Sequence, residues 1–240
     1  MKVLAIIQAR LGSSRLPSKV LMPIEGTPIL VHIINSLKLS KFINQIIVAT
    51  TTSPKDDKIV DLCKEIDLDY YRGSEKDVLD RFYECAKFFK GDLIIRITGD
   101  NPLVDPTLID ELIQISKKTS CDYASNVLHQ SYPVGYSPCE ILTFSTLQKL
   151  HENEKEPLSR EHVTYQIRNN PSLYKIEEII APAHLSRPKW RLTVDYEEDL
   201  ELISKIFEKL YQPKSFIQYS KLVEFLDKNK ELLKINEAHN

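Results

Sequence analysis

The chain has 240 residues and a formal net charge of −2, with 42% hydrophobic and 28% charged residues. This length suits one large domain with a real hydrophobic core, and the composition is that of a soluble globular protein. The small net charge speaks against a nucleic-acid-binding protein, and no apolar run approaches the roughly 20 residues of a membrane span.

Four cysteines are spread irregularly along the chain, at Cys63, Cys85, Cys121 and Cys139. They form no CxxC pair, so we expect buried free thiols rather than a zinc site or a disulfide framework. The apolar run at the N-terminus is too short for a signal peptide. These features together favour a cytoplasmic protein.

Strand and helix patterns alternate over residues 1–117. Apolar runs predict strands at 3–8, 45–50, 69–72 and 92–97. Helices are predicted to begin at N-cap and proline signals, namely Thr27-Pro28, Ser53-Pro54, Ser74 and Asp105-Pro106. The alternation predicts an α/β fold with a mostly parallel sheet and helices on both faces.

The pattern weakens after residue 121 and returns near residue 190. Within 126–188 we expect an inserted lobe of short strands and one helix, contributing to an acceptor site or a subunit contact. The elements predicted in the second half are strands at 139–144, 174–180 and 190–194 and helices at 160–169, 196–211 and 219–234. We expect a single domain over residues 1–240.

Three cations follow the first strand in the stretch IIQARLGSSRLPSKVL, residues 6–21. The loop is not a Walker A motif, because no second glycine precedes Lys19, and it contains no GxGxxG. We therefore expect Arg10, Arg15 and Lys19 to bind phosphate through their side chains, with Gly12 permitting close approach. A nucleoside triphosphate with its leaving pyrophosphate suits three cations; an ordinary solvated loop is the alternative.

Two acidic residues end apolar strands, Asp100 after IIRITG and Asp195 after WRLTV. Both should lie at the carboxyl edge of the sheet, where two carboxylates are suited to holding Mg²⁺. The alternatives are a turn residue at Asp100 and a capping box of Asp195 with Glu198.

Two more stretches carry polar residues at helix starts, RGSEKDVLDRF (72–82) and PLSREHVTYQIRNN (157–170). In the first, the free amides of a strand-to-helix turn are candidates for contact with a base or phosphate, and Asp77 is predicted to pair with Arg81. In the second, Arg160 and His162 are candidates for the acceptor side, together with the loop YPVGYSPCE (132–140). A capped surface helix and a structural histidine are the alternatives.

The stretch QARLGSSRLPSKVL resembles the signature of the cytidylyltransferases that activate Kdo and sialic acids. The chain most closely resembles the subfamily named after spore coat polysaccharide biosynthesis protein F. Matching stretches follow in family order: ATTTSPKDD, YRGSEKDVLDRF, RITGDNPLVDP, SREHVT and RLTVDYEEDLELI. The resemblance covers most of the chain from residue 6 to about 203.

The resemblance implies a nucleotidyltransferase fold of the glycosyltransferase-A type, a Mg²⁺-dependent reaction with CTP and a sugar or sugar-like acceptor, and a homodimer. It implies Asp100 and Asp195 as metal ligands and as catalytic residues with Arg10 and Lys19. The nucleotide-binding residues it implies are Gln8, Ala9, Arg10, Gly12, Arg15, Lys19, Ala49, Thr50, Arg72, Gly73, Ser74 and Asp77. On the acceptor side it implies Tyr136, Glu140, Arg160 and His162.

Some positions depart from the subfamily's pattern. Val134 and Cys139 stand where acidic residues are common, and Asn101 stands where a cysteine is frequent. These departures bear on the identity of the acceptor. We expect transfer of CMP from CTP with release of pyrophosphate; a nucleotide-sugar-dependent glycosyltransferase is the alternative, although TGDNP lacks the DxD motif usual there.

Overall fold

The structure, a computed structural model, describes residues 1–239. Its strands are β1 (Val3–Gln8), β2 (Pro23–Ile24), β3 (Thr27–Pro28), β4 (Gln45–Thr51), β5 (Asp69–Gly73), β6 (Leu93–Thr98), β7 (Tyr123–Ser125), β8 (Glu140–Thr143) and β9 (Ile176–Glu178). Its α-helices are α1 (Ile29–Leu37), α2 (Asp57–Glu65), α3 (Val78–Phe88), α4 (Pro106–Thr119), α5 (Phe144–Asn153), α6 (Pro157–Glu161), α7 (Tyr165–Asn169), α8 (Glu197–Leu210) and α9 (Tyr219–Lys228).

Seven strands form one sheet in the order β5-β4-β1-β6-β8-β7-β9, and β2 and β3 form a small separate hairpin. The strands β5, β4, β1 and β6 are parallel to one another. The strand β8 is antiparallel to both of its neighbours, while β9 is parallel to β7. The predicted mostly parallel sheet with flanking helices is confirmed.

The sheet is buried on both faces, as the continuous apolar runs of its strands require. In β1, Ala5 and Ile7 pack into one core cluster, and Leu4 and Ile6 pack into the other. Because β1 and β6 are parallel neighbours with Gln8 opposite Thr98, the loops that follow them leave the sheet at one edge. The four cysteines are free and buried, as predicted.

The predicted strand at 190–194 is wrong. This segment makes one isolated bridge, between Val134 and Arg191. The position beside β6 is already taken by the antiparallel strand β8, so the segment crosses the strand ends instead. There the amide of Val194 donates to the carbonyl of Asp100 at 2.9 Å.

Several predicted helix bounds are also corrected. Thr27-Pro28 pairs with Pro23–Ile24, so the first helix begins only at Ile29. The helix expected over 160–169 is two short helices, α6 and α7, interrupted at residues 162–164, and the last helix ends at Lys228. These differences follow from hairpin pairing and turns that local propensity does not specify.

The stretch 126–188 contributes β8 and β9 to the main sheet. Between them, α5 and α6 pack against α3. A role of this stretch in a subunit contact stays a prediction. None of the helices in residues 1–239 has the length and hydropathy that a membrane crossing requires.

Candidate active site

A cavity of about 410 Å³ opens at the carboxyl ends of β1 and β6. The loop after β1, the end of β6, the start of α3, the end of α6 and the segment before α8 line it. The predicted site residues that it brings together are Gln8, Ala9, Arg10, Gly12, Arg15, Lys19, Asp100, His162 and Asp195.

The basic loop is folded back on itself and tied to its neighbour. The amide of Ser18 donates to the carbonyl of Leu11 at 3.1 Å, and Ser18 adopts a left-handed φ of 61°. The amide of Leu11 donates to Asp56 Oδ1 at 2.7 Å, beyond the end of β4. This closure turns Lys19 inward, and its side chain is only 10% exposed.

Lys19 lies between the two predicted acidic residues. Its Nζ donates to Asp100 Oδ2 and to Asp195 Oδ1, each at 2.7 Å. A buried ammonium is stable only when it is paired, and here two carboxylates neutralise it. Lys19 therefore joins the loop after β1 to Asp100 after β6 and to Asp195 in the segment before α8.

Asp195 accepts from two further cations. Arg15 Nη2 donates to its Oδ1 at 2.8 Å, and Arg191 Nη2 donates to its Oδ2 at 2.9 Å. Burial by itself would raise the pKa of Asp195, but the hydrogen bonds and charges of Lys19, Arg191 and Arg15 outweigh burial and hold that pKa below its ordinary value. Asp195 is thus a carboxylate at neutral pH.

Arg191 and Asp199 are members of this network that the sequence analysis missed. Arg191 Nε donates to Asp199 Oδ1 at 3.0 Å, and Asp199 is fully buried. Asp199 Oδ2 also accepts from the amides of Asp195 at 2.9 Å and Tyr196 at 3.1 Å. Asp199 therefore supports the start of α8, and the alternative capping box of Asp195 with Glu198 is wrong.

The two carboxylates suit a divalent metal by the chemistry of their donors, but Lys19, Arg15 and Arg191 hold both oxygens of Asp195, so a metal there would have to displace a cation. Asp100 and Asp195 supply hard oxygens, the ligands that Mg²⁺ prefers. Within residues 1–239, no group of three or more His, Cys, Asp or Glu side chains converges on a metal site. Phosphate and water oxygens would have to complete the coordination.

Arg81 also lines the cavity, and the sequence analysis did not identify it as a site residue. The predicted pair of Asp77 with Arg81 is wrong, because Asp77 pairs with Arg160 through Nη2 at 2.6 Å and Nε at 2.8 Å. Asp77 also caps α3 by accepting from the amide of Asp80 at 2.9 Å, the role predicted for Ser74. Arg81 is 2% exposed and donates from Nη1 to the carbonyl of Ser74 at 2.6 Å.

The remaining predicted nucleotide-binding residues lie on β4, on β5 and before α3, outside the lining of this cavity. They are Ala49, Thr50, Arg72, Gly73, Ser74 and Asp77. Arg72 donates to the carbonyls of Thr51 and Ser53 at 2.9 and 2.8 Å. Gly73 lies behind a residue that lines the cavity, because a β-carbon at Gly73 would lie 2.9 Å from Arg81 Cγ.

The predicted acceptor residues separate into two groups. His162 is exposed and lines the cavity with Glu161. Tyr136 and Glu140 are buried away from the cavity lining. Tyr136 donates to Asp105 Oδ2 at 2.8 Å, and Glu140 accepts from Arg96, Thr164 and Tyr123, the last at 2.6 Å.

A sequence model of the family described as cytidylyltransferase matches residues 4–235. The chain is 42% identical over 239 residues to an uncharacterized protein of Methanocaldococcus jannaschii, covering 98% of this chain and 95% of that one. It is 35% identical over 245 residues to spore coat polysaccharide biosynthesis protein SpsF of Bacillus subtilis, covering 98% of each.

Among solved structures, a cytidylyltransferase from Leptospira borgpetersenii serovar Hardjo-bovis superposes with a TM-score of 0.90. The two chains are 32% identical, and the alignment covers 97% of each. The predicted nucleotidyltransferase fold and the family resemblance are thereby confirmed. The chain belongs to the cytidylyltransferase family.

Proposed function

We propose that this protein transfers CMP from CTP to an oxygen of a sugar or sugar-like acceptor and releases pyrophosphate. The observation that carries the proposal is the position of Lys19 between Asp100 and Asp195, in a cavity that also holds three arginines. Family membership supports the transfer of a cytidylyl group. The likeness to a spore coat polysaccharide protein supports a sugar-like acceptor in polysaccharide or glycan biosynthesis.

In this reaction the residues position the acceptor and the triphosphate and neutralise the charge on the phosphates. The acceptor oxygen attacks the α-phosphorus, the bond from that phosphorus to the bridging oxygen breaks, and pyrophosphate leaves with the electron pair. Arg10, Arg15 and Lys19 bind the triphosphate and the charge that develops on the leaving group. Asp100 and Asp195 are the residues that would hold Mg²⁺, which would neutralise phosphate charge.

The acceptor side is proposed to be the wall formed by the end of α6. His162 and Glu161 are the polar side chains available there. Glu140 and Arg160 support this wall indirectly, because Glu140 accepts from Thr164 and Arg160 pairs with Asp77. Tyr136 donates to Asp105 instead and is not part of this wall. A homodimer and a cytoplasmic location stay part of the proposal.

The test is pyrophosphate release from CTP, UTP, GTP and ATP with a panel of sugar acceptors, with Mg²⁺ or with EDTA. We expect turnover with CTP and Mg²⁺ only, and loss of turnover in Lys19→Ala and Asp100→Ala. Release of a nucleoside diphosphate from a nucleotide-sugar, with no pyrophosphate formed from any triphosphate, would instead identify a glycosyltransferase.

A further inference from the structure

The four cations of the cavity fall into two pairs that differ in their counter-ions. Lys19 and Arg15 are both within 2.8 Å of a carboxylate oxygen. Within residues 1–239, no carboxylate oxygen lies within 4.0 Å of a guanidinium nitrogen of Arg10 or Arg81. In this described part of the chain, carboxylates thus neutralise Lys19 and Arg15, whereas Arg10 and Arg81 have no paired carboxylate.

Among the described residues, the guanidinium group of Arg81 is an unpaired positive charge in a buried position, which is unusual in a folded protein. Arg81 is 2% exposed, and its Nε is buried without a hydrogen-bond partner among residues 1–239. Within residues 1–239 the guanidinium group makes one hydrogen bond, from Nη1 to the carbonyl of Ser74, which fixes one end of the group. A buried cation without a partner costs stability, so its retention beside a cavity indicates that a ligand supplies the missing negative charge.

The surroundings of Arg81 agree with this interpretation. Burial, and next the positive charge of Arg10, lower the pKa of Arg81 to about 10. Asp56 and Glu75 act in the opposite direction without reversing the shift. Asp56 is engaged with the amide of Leu11 and the hydroxyl of Thr51.

We propose that Arg81 is a further phosphate-binding residue, which with Arg10 forms an anion subsite for the terminal diphosphate of the nucleotide, and for the pyrophosphate released from it, without help from a metal ion. This inference rests on the proposed function, since it assigns one part of the same substrate. A diphosphate suits the pair because it carries several negative charges and oxygens that match two guanidinium forks. A neutral base would leave both charges without compensation.

The side chain of Arg81 fits into its position because residue 73 is a glycine. A β-carbon at Gly73 would lie 2.9 Å from Arg81 Cγ and 3.3 Å from Arg81 Cβ, so the stem of Arg81 lies directly against the glycine backbone. On the loop side, a β-carbon at Gly12 would lie 3.5 Å from Glu75 Oε1, so the turn before α3 adjoins the basic loop. Arg81 on α3 and Arg10 on the loop therefore line the same cavity.

The test is calorimetric titration of the full chain with pyrophosphate in EDTA. We expect binding by the wild type, a loss of at least about tenfold in Arg81→Gln, and a smaller loss in Arg81→Lys, which keeps the charge without the fork. Glu75→Gln should bind more tightly, because one opposing charge is removed. Lys228→Gln, on the surface of α9, is the control for net charge and should bind like the wild type.

The outcomes separate the subsite from the proposed function. If the wild type turns over CTP but binds no pyrophosphate in EDTA, or if Arg81→Gln binds it unchanged, the subsite is refuted and the function stands. If no acceptor supports turnover while pyrophosphate binding depends on Arg81, the subsite stands and the function is wrong. Thermal melting of each variant shows whether a loss of pyrophosphate binding reflects unfolding. If Arg81→Gln is unfolded, the folded Arg81→Lys variant is used instead, and wild-type affinity in that variant refutes a role for the guanidinium fork.

Discussion

Lys19 Nζ lies 2.7 Å from Asp100 Oδ2 and 2.7 Å from Asp195 Oδ1. One ammonium thus joins the ends of two separate chain segments at the carboxyl edge of the sheet. It separates and neutralises two carboxylates that would otherwise repel each other. In the proposed function, Lys19 binds the triphosphate and the two carboxylates would hold its metal ion.

Replacing Lys19 by Met is expected to remove both stability and activity. The two carboxylates would lose their shared counter-ion, although Arg15 and Arg191 still compensate Asp195, so we expect a loss of about 1–3 kcal/mol in the free energy of unfolding. Turnover with CTP should fall by at least about 100-fold. Urea unfolding and pyrophosphate release measure the two effects. Unchanged turnover in a folded variant would contradict the role of Lys19.

Asp199 and Glu198 form a matched pair for testing how Asp195 is positioned. Asp199→Asn weakens the contact with Arg191 and the two amides, so we expect about 2–4 kcal/mol less stability and reduced turnover. Glu198→Gln is expected to change the free energy of unfolding by less than about 0.5 kcal/mol, because Glu198 is exposed. Equal effects of the two substitutions would show that Asp199 has no special role.

Gly73→Ala tests the contact between β5 and Arg81. The new methyl group would meet Arg81 Cγ at 2.9 Å and displace the guanidinium group. We expect CTP affinity to fall by about tenfold, which corresponds to about 1.4 kcal/mol. In an Arg81→Gln background the same change should cost much less, and a double-mutant cycle measures this coupling. Additive effects would show that Gly73 acts independently of Arg81.

Glu140 is expected to contribute to acid unfolding. Burial would raise its pKa, but Arg96 and the hydroxyls of Thr164 and Tyr123 outweigh burial and lower it below the ordinary value of 4.5. A carboxyl group whose pKa is lower in the folded state stabilises the fold above its unfolded pKa and loses that contribution as the pH falls. Stability should therefore decline below about pH 4.5.

The check is urea unfolding over a pH series for wild type and Glu140→Gln. The variant should be less stable at pH 7, because Arg96 loses its carboxylate, and its stability should change less below about pH 4.5. A wild-type curve with the same acid slope as the variant would rule out Glu140 as a contributor.

The sequence by itself determined the alternation of strands and helices over the first half of the chain, the basic loop after β1 and the acid Asp100 after β6. These features depend on local patterns: apolar runs, N-cap signals and the residue types in one loop. The carboxyl-edge rule for parallel strands places Lys19, after β1, and Asp100, after β6, at one edge of the sheet. It does not place Asp195, because the predicted strand before that residue does not form.

Only the tertiary structure decided which charges pair. Asp77 lies one helical turn from Arg81, yet it pairs with Arg160, which reaches it from α6 with two nitrogens. Likewise Asp199 rather than Glu198 holds the start of α8, because only Asp199 is buried beside Arg191. Local spacing shows which partners are available, whereas burial and distance across elements select among them. Within residues 1–239 that selection left Arg81 at the cavity without a paired carboxylate.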